Sequence, residues 1–307
     1  MKNFCAHIIL GCIRLLALLP LKVHYALCGC FSWMLRDVFR YRRKVVETNI
    51  GHSFPDRSPK ERAGIVRDFY RHLGDVVAEA IWFGGCRSKK RLHKQKLCEF
   101  AGLEEHRREL EGMDGVMYLI SHCGNWEILG GWFEFAPEGA LPYGQEQVIA
   151  VYKKLSSDVW EEVTARNRFW PMDKEKFTGC VESRKVLRYT IEHREDKNVF
   201  LFPTDQYPYR EARGHKVKDF LHQETMSMTG GASIACKYGL GVVYVGFESV
   251  SRGHYRMRFR TIAADASAMT PAEVMDSYYS MLQEDIEAQP WNYLWSHKRW
   301  KNLYDYK

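Results

Sequence analysis

The chain has no CxxC pair; its 9 cysteines are scattered, and the nearest approach is Cys28-Gly-Cys30. A disulfide framework and a zinc site are therefore not indicated, and an odd count in 307 residues reads as reduced thiols facing the cytoplasm. A GxSxG elbow is missing, which disfavours a soluble α/β hydrolase. Zinc-finger spacing, an RNP-type aromatic motif and a basic region with heptads are missing as well, so the net charge of +7 does not point to nucleic acid. No internal repeat or low-complexity linker divides the chain. A clean membrane-spanning run is also lacking. Phe4 to Leu21 would reach about 27 Å as a helix, but His7, Arg14 and Pro20 interrupt it.

What is present is 46% apolar and 14% aromatic residues, enough to exclude disorder. The positive balance suggests an anionic partner, whether a membrane surface, an acidic protein or a phosphorylated substrate. Behind the first apolar stretch come a second, Val23 to Leu35, and the run RDVFRYRRK with Arg36, Arg40, Arg42, Arg43 and Lys44. Basic residues flanking apolar segments favour the cytoplasmic side and anionic headgroups. Residues 1–45 are thus expected to form a membrane-associating helical segment, with residues 46–307 held at the inner face of a membrane. A cleaved signal peptide fits poorly, because Arg14 breaks the apolar region and no A-x-A-like site follows. The alternative for this segment is a buried amphipathic helix pair of a soluble protein.

Ser58-Pro59-Lys60-Glu61 is a capping box with proline at the first helical position, and apolar residues then recur at helical spacing from Ile65 to Ile81. RSKKRLHKQK, Arg87 to Lys96, reads as a basic linker suited to a transient protein contact. Beyond residue 115, short apolar runs at Val116 to Ser121, Val148 to Tyr152, Val199 to Pro203 and Val242 to Phe247 read as strands, most of them buried on both faces. Helices are expected at Asn125 to Phe135, Ser183 to His193, and Thr229 to Tyr238 with Gly239 closing it. Tyr255 to Thr261 reads as an edge strand, and the capping box Thr270-Pro271-Ala272-Glu273 opens a last helix to about Ala288. The fold class is α/β, a layered mixed sheet with flanking helices and a helical N-terminal extension.

GVMYLISHCGNWEILGGW, Gly115 to Trp132, places His122 at the carboxyl end of a strand and Glu127 in the first turn of the next helix, with Asn125 placed to cap it. That edge is where open α/β sheets bind ligands. A neutral histidine there can take a proton from a hydroxyl, and a carboxylate can fix its tautomer and stabilise the imidazolium. Cys123 could be called a nucleophile, but free cysteine is usually a small buried hydrophobe. Direct attack by a substrate hydroxyl activated by His122 needs neither metal nor cofactor. A capped helix with an incidental histidine is the bland alternative.

SHCGNWE resembles the HxxxxE form of the HxxxxD/E signature of lysophospholipid-type acyltransferases, specifically the lipid A late acyltransferase family. YRRKVVETNIGHSFPDRSPKER, with Asn49 and Phe54-Pro55, looks like that family's N-terminal block. FPTDQ, with Asp205-Gln206, looks like its DQ block, and QPWNYLWSHKRWK, Gln289 to Lys301, like its C-terminal signature. The resemblance implies acyl transfer from an acyl carrier protein thioester to a hydroxyl of a lipid A precursor, at the cytoplasmic face of the inner membrane. It implies His122 as base and Glu127 as partner, with Arg166 of TARNRFWP at the family's arginine. Asp205 and Gln206 would orient the pair or bind the glucosamine head. Where the family often has Tyr-Arg after its second strand, this chain has Tyr152-Lys153-Lys154, whose lysines could meet a phosphate but cannot form arginine's bidentate fork. His222 and Glu224 replace a family glycine and proline, which leaves acceptor and chain length open. Rival readings are another lipid acceptor (a lysophospholipid, an aminoacyl lipid or a mannosyl lipid) and a basic monotopic protein that binds lipid without turning it over.

Overall fold

Pro20 divides the N-terminal apolar stretch, because its ring fixes φ and removes a backbone donor. The computed structural model, which describes residues 2–177, 179–208 and 213–306, shows two helices there, α1 (Lys2–Leu16) and α2 (Leu21–Trp33), with a bend of 116° between them. Among the described residues no single helix is long and apolar enough to cross a membrane. A π-helical turn (Met34–Val38) and α3 (Arg43–Ser53) follow. The Ser58/Glu61 capping box forms, with the Glu61 amide donating to Ser58 Oγ at 3.3 Å and the Ser58 amide donating to Glu61 at 2.8 Å. It starts α4 (Pro59–Cys86), which runs five residues past the helical spacing read from the sequence.

The expected basic linker is instead α5 (Lys89–Gln95), capped by Ser88. Its charges are partly engaged inside the protein. Lys89 and His93 both meet Glu134, and Arg91 donates to the Ala17 carbonyl at 2.8 Å while lying over Trp82. The remaining elements are β1 (Cys98–Ala101), α6 (Leu103–Leu110), β2 (Val116–Ile120), a 3-10 turn (Trp126–Gly131) running into α7 (Trp132–Phe135), β3 (Val148–Tyr152), α8 (Asp158–Arg168), β4 (Cys180–Glu182), α9 (Val186–Glu192), β5 (Val199–Pro203), the hairpin β6 (Arg213–Phe220) and β7 (Gln223–Met228), α10 (Gly230–Tyr238), β8 (Gly241–Ser251), β9 (His254–Ala263) and α11 (Pro271–Ala288).

Seven strands form one sheet in the order β1-β9-β8-β2-β5-β3-β4. Five run parallel, while β9 is antiparallel to β8 and parallel to β1. β9 therefore lies inside the sheet, not at its edge as its alternating pattern suggests. The four-residue β1 covers it, too short to carry a pattern of its own. β2 is buried along its whole length, as a central parallel strand must be, and each such apolar side chain contributes roughly 1.5 to 3 kcal/mol. The two residues where the family pattern is broken lie on the β6–β7 hairpin. His222 is the exposed turn residue, with φ of +62°, and Glu224 pairs with Lys216.

Helix α4 is the spine on which the N-terminal hairpin is mounted. Leu21, Tyr25 and Cys28 of α2 belong to the same core cluster as the central strands, so α2 is packed into the body of the fold. Close approach depends on α4 lacking side-chain bulk. A Cβ at Gly85 would lie 2.5 Å from both the Ala17 methyl and the Ile13 carbonyl. Gly85→Val should therefore cost about 1 to 3 kcal/mol and unseat α1. Thermal unfolding and limited proteolysis between residues 15 and 35 measure this; an unchanged midpoint with no new cleavage would mean that the contact is dispensable.

Candidate active site

Parallel pairing between β2 and β5 sets Ile120 level with Pro203. His122 and Asp205 each lie two residues beyond those positions, so the register alone brings them to the same height on the carboxyl edge of the sheet. There His122 Nδ1 lies 2.7 Å from Asp205 Oδ1, and the His122 amide donates to Asp205 Oδ2 at 3.1 Å. Asp205 is 1% exposed. Burial alone would raise its pKa, but the adjacent His122 and its two hydrogen bonds hold the carboxyl below the usual carboxylate range. An ionised carboxylate can only accept, so Nδ1 carries the ring proton and Nε2 keeps a lone pair. Nε2 faces the site, where the Gln206 amide nitrogen approaches to 3.2 Å. Trp126 packs edge-on against the imidazole, with ring centroids 5.1 Å apart.

The carboxylate at His122 Nδ1 is thus Asp205 and not Glu127. Glu127, the second residue of the 3-10 turn, spends both oxygens elsewhere. It receives a bidentate pair from Arg168 at 2.7 and 2.6 Å, and the Trp126 indole N–H at 3.1 Å. Burial would raise its pKa, yet Arg168 brings it below the ordinary value. The forked geometry with two N–H···O bonds is the strong form of such a contact. The arginine that reaches the HxxxxE motif is therefore Arg168, not Arg166. Two residues along a helix turn a side chain by about 200°, and Arg166 accordingly points outward to Glu162 and His7. Gly130 makes room for this junction, since a Cβ there would sit 1.6 Å from the Arg168 carbonyl.

Asn125 caps the turn as expected, accepting from the Glu127 amide at 3.1 Å. It is fully buried and its amide nitrogen is given to Glu79 at 2.7 Å, so both ends of its side-chain amide are engaged within the protein. Cys123 is buried and its thiol is pushed up by burial, which removes it as a nucleophile. Lys153 and Lys154 are exposed just past β3, on the same sheet edge and two strands from β2, about 10 Å across.

The C-terminal signature, quoted above without a role, is the floor of the site. Asn292 accepts from the Gly124 amide and donates to the Phe247 carbonyl, and Tyr293 bridges to Cys123. His297, lowered to about 4 by burial, accepts from the Tyr207 amide at 3.0 Å and so fixes the chain after Gln206. Asn49, also without an assigned role, donates to the Trp295 and His297 carbonyls at 2.9 Å. The only sequence signal for these contacts was their membership of matched blocks.

The model for the family described as bacterial lipid A biosynthesis acyltransferase matches residues 1–302. The chain is 22% identical over 296 residues, 95% of its own length and 89% of the relative's, to a lipid A biosynthesis palmitoleoyltransferase of Escherichia coli (strain K12). The same figures hold for a lipid A biosynthesis acyltransferase of Shigella flexneri. Among solved structures, the 1-acyl-sn-glycerophosphate (LPA) acyltransferase PlsC from Thermotoga maritima overlaps loosely, with a TM-score of 0.38 and 12% identity over 87% of this chain and 98% of that one. With the family model matched from the first helix through the C-terminal signature, this chain belongs to the bacterial lipid A biosynthesis acyltransferase family.

Proposed function

We propose that this acyltransferase carries a fatty acyl chain from an acyl carrier protein thioester to a hydroxyl of a lipid A precursor, at the cytoplasmic face of the inner membrane, with His122 as general base. The observation that carries the reading is the His122–Asp205 pair, in which a buried anion fixes the Nδ1–H tautomer and leaves Nε2 as proton acceptor at the open sheet edge. Nε2 takes the proton of the acceptor hydroxyl as its oxygen attacks the thioester carbonyl. The tetrahedral intermediate collapses with loss of the thiolate, which receives that proton from the imidazolium. Asp205 stabilises the imidazolium while it exists, and Glu127, held by Arg168, keeps Trp126 against the ring. Gln206, whose amide lies against Nε2, yields that position to the acceptor hydroxyl and donates to an acceptor oxygen. Lys153 and Lys154 are placed to neutralise an acceptor phosphate, and the exposed cations of α5, Lys90 and Lys94, to meet the acidic carrier protein.

The decisive assay incubates purified protein with an acyl carrier protein thioester and a lipid A precursor, and reads the gain of one acyl mass by mass spectrometry. Transfer only to a lysophospholipid would replace the acceptor. No transfer to any lipid would leave a lipid-binding protein. His122→Ala should lower kcat by roughly a hundred- to ten-thousand-fold, and Asp205→Asn, which favours the wrong tautomer, by a comparable factor. If Asp205→Asn keeps near-normal turnover, the pair is not the catalytic unit.

The two arginines of α8 separate cleanly in a second test. Arg168→Ala should reduce kcat/KM about ten- to hundredfold, since it leaves the Glu127 carboxylate without its bidentate partner. Arg166→Ala, which removes only an exposed i,i+4 pair, should stay within about threefold. Equal losses would refute the assignment.

Attachment rests on the outer face of the N-terminal hairpin. Phe4 is 69% exposed, Leu15 68% and Leu18 69%, with Leu27, Trp33 and Phe39 also bare and Arg36, Arg40 and Arg43 beside them. An apolar face with a cationic border suits a helix pair lying in the membrane surface. Leu15→Asp with Leu18→Asp should move protein to the soluble fraction, and alkaline carbonate should release the unsubstituted chain. Retention through carbonate, with release only by detergent, would point to a spanning segment.

A further inference from the structure

Glu79 is a carboxylate with no exposure in the middle of α4, and the reaction scheme above has no use for it. Burying such a group is costly unless donors surround it. Three do, each from a different part of the fold. The Tyr25 hydroxyl of α2 donates to Oε1 at 2.8 Å, the Tyr255 hydroxyl of β9 to Oε2 at 2.8 Å, and the Asn125 amide to Oε2 at 2.7 Å. Burial raises Glu79 to about 7, against the pull of those three hydrogen bonds.

The same helix makes further contacts toward its N-terminus. One turn earlier, Asp75 forms a bidentate pair with Arg252 at 2.6 and 2.9 Å, and the Arg252 guanidinium lies over the Tyr25 ring at 4.3 Å. Another turn earlier, His72 Nε2 meets the Gly124 carbonyl at 3.2 Å. Helix α4 thus grips the N-terminal hairpin through Tyr25 and the loop that follows His122 through Gly124 and Asn125. Asn125 in turn caps Glu127, whose carboxylate holds Arg168 and Trp126. An unbroken run of polar contacts links the hairpin to the wall of the site.

We propose that Glu79 is a positioning residue through which the seating of the α1–α2 hairpin sets the geometry of the 122–127 loop, so that the site is fully formed only while the hairpin is docked. The activity readout rests on the acyl-transfer function proposed above; the structural readout does not. Without the Tyr25 hydroxyl, Glu79 loses its tie to the hairpin and Asn125 loses a fixed acceptor. An acyltransferase built this way has its cleft completed by the element that meets the lipid surface.

Three variants test the coupling on the full-length protein in detergent. Tyr25→Phe should speed amide hydrogen exchange in peptides covering residues 122–131 by roughly tenfold and lower kcat about three- to tenfold, with KM for both substrates nearly unchanged and the melting temperature lowered by only a few degrees. Asn125→Asp, which sets a second carboxylate against Glu79, should lower kcat by at least roughly a hundredfold. Combining it with Glu79→Gln should restore most of that loss, because the introduced amide donates to the introduced carboxylate, which still caps Glu127. Unchanged exchange at 122–131 in Tyr25→Phe, or failure of Glu79→Gln to rescue Asn125→Asp, would overturn the coupling. Absence of acyl transfer by the unsubstituted chain would overturn the function instead, and the exchange data would still decide the coupling.

Discussion

The parallel register between β2 and β5 is the constraint on which the rest of the site depends. It sets Ile120 beside Pro203, and with them the two loops that carry His122 and Asp205. A slip of one residue would turn every side chain of β2 to the opposite face, and because that strand is buried throughout, the packing cost forbids it. The precision of the 2.7 Å histidine–aspartate contact is therefore inherited from the hydrophobic core.

Two carboxylates flank the imidazole side of the cleft, and their surroundings give them different work. Asp205 is buried against the ring nitrogen and kept ionised by it. Glu127 stands one aromatic ring away and is neutralised by a forked arginine. The first fixes a tautomer; the second fixes the position of Trp126 and of α8 against the 3-10 turn. Each is satisfied by strong hydrogen bonds, so neither is left as an unpaired buried charge, which would be the costly case.

Around this centre the chain closes on itself. The C-terminal segment from Asn292 to His297 lies under both loops, α3 holds it through Asn49 and the residue just before α3 through Arg42, which donates to the Ser296 carbonyl. The N-terminal hairpin lies against α4 and α8. Residues near both ends of the sequence thus support the loops that carry His122 and Asp205, and the family match covers both ends as well as the HxxxxE motif.

In the sequence α8, β4 and the β6–β7 hairpin, short or largely polar, were not legible, whereas β2, β3, β5, α4 and α11 were, because their patterns are local: the strands are continuous apolar runs, and Ser58 and Thr270 announce their helices through capping boxes. His122 was legible for the same reason, as a histidine at a strand end next to a cap. The interior place of β9, the helical state of Lys89 to Gln95, and the choice of Arg168 over Arg166 were not, because each depends on what another element presents to it. Above all, five residues of spacing allowed Glu127 to be paired with His122, whereas the partner stands 83 residues away in sequence. The sequence by itself determined which residues could do proton chemistry and which segments would be buried. Only the tertiary structure decided which carboxylate meets the imidazole, because that contact is made by the order and register of strands, and no local pattern records which strands become neighbours.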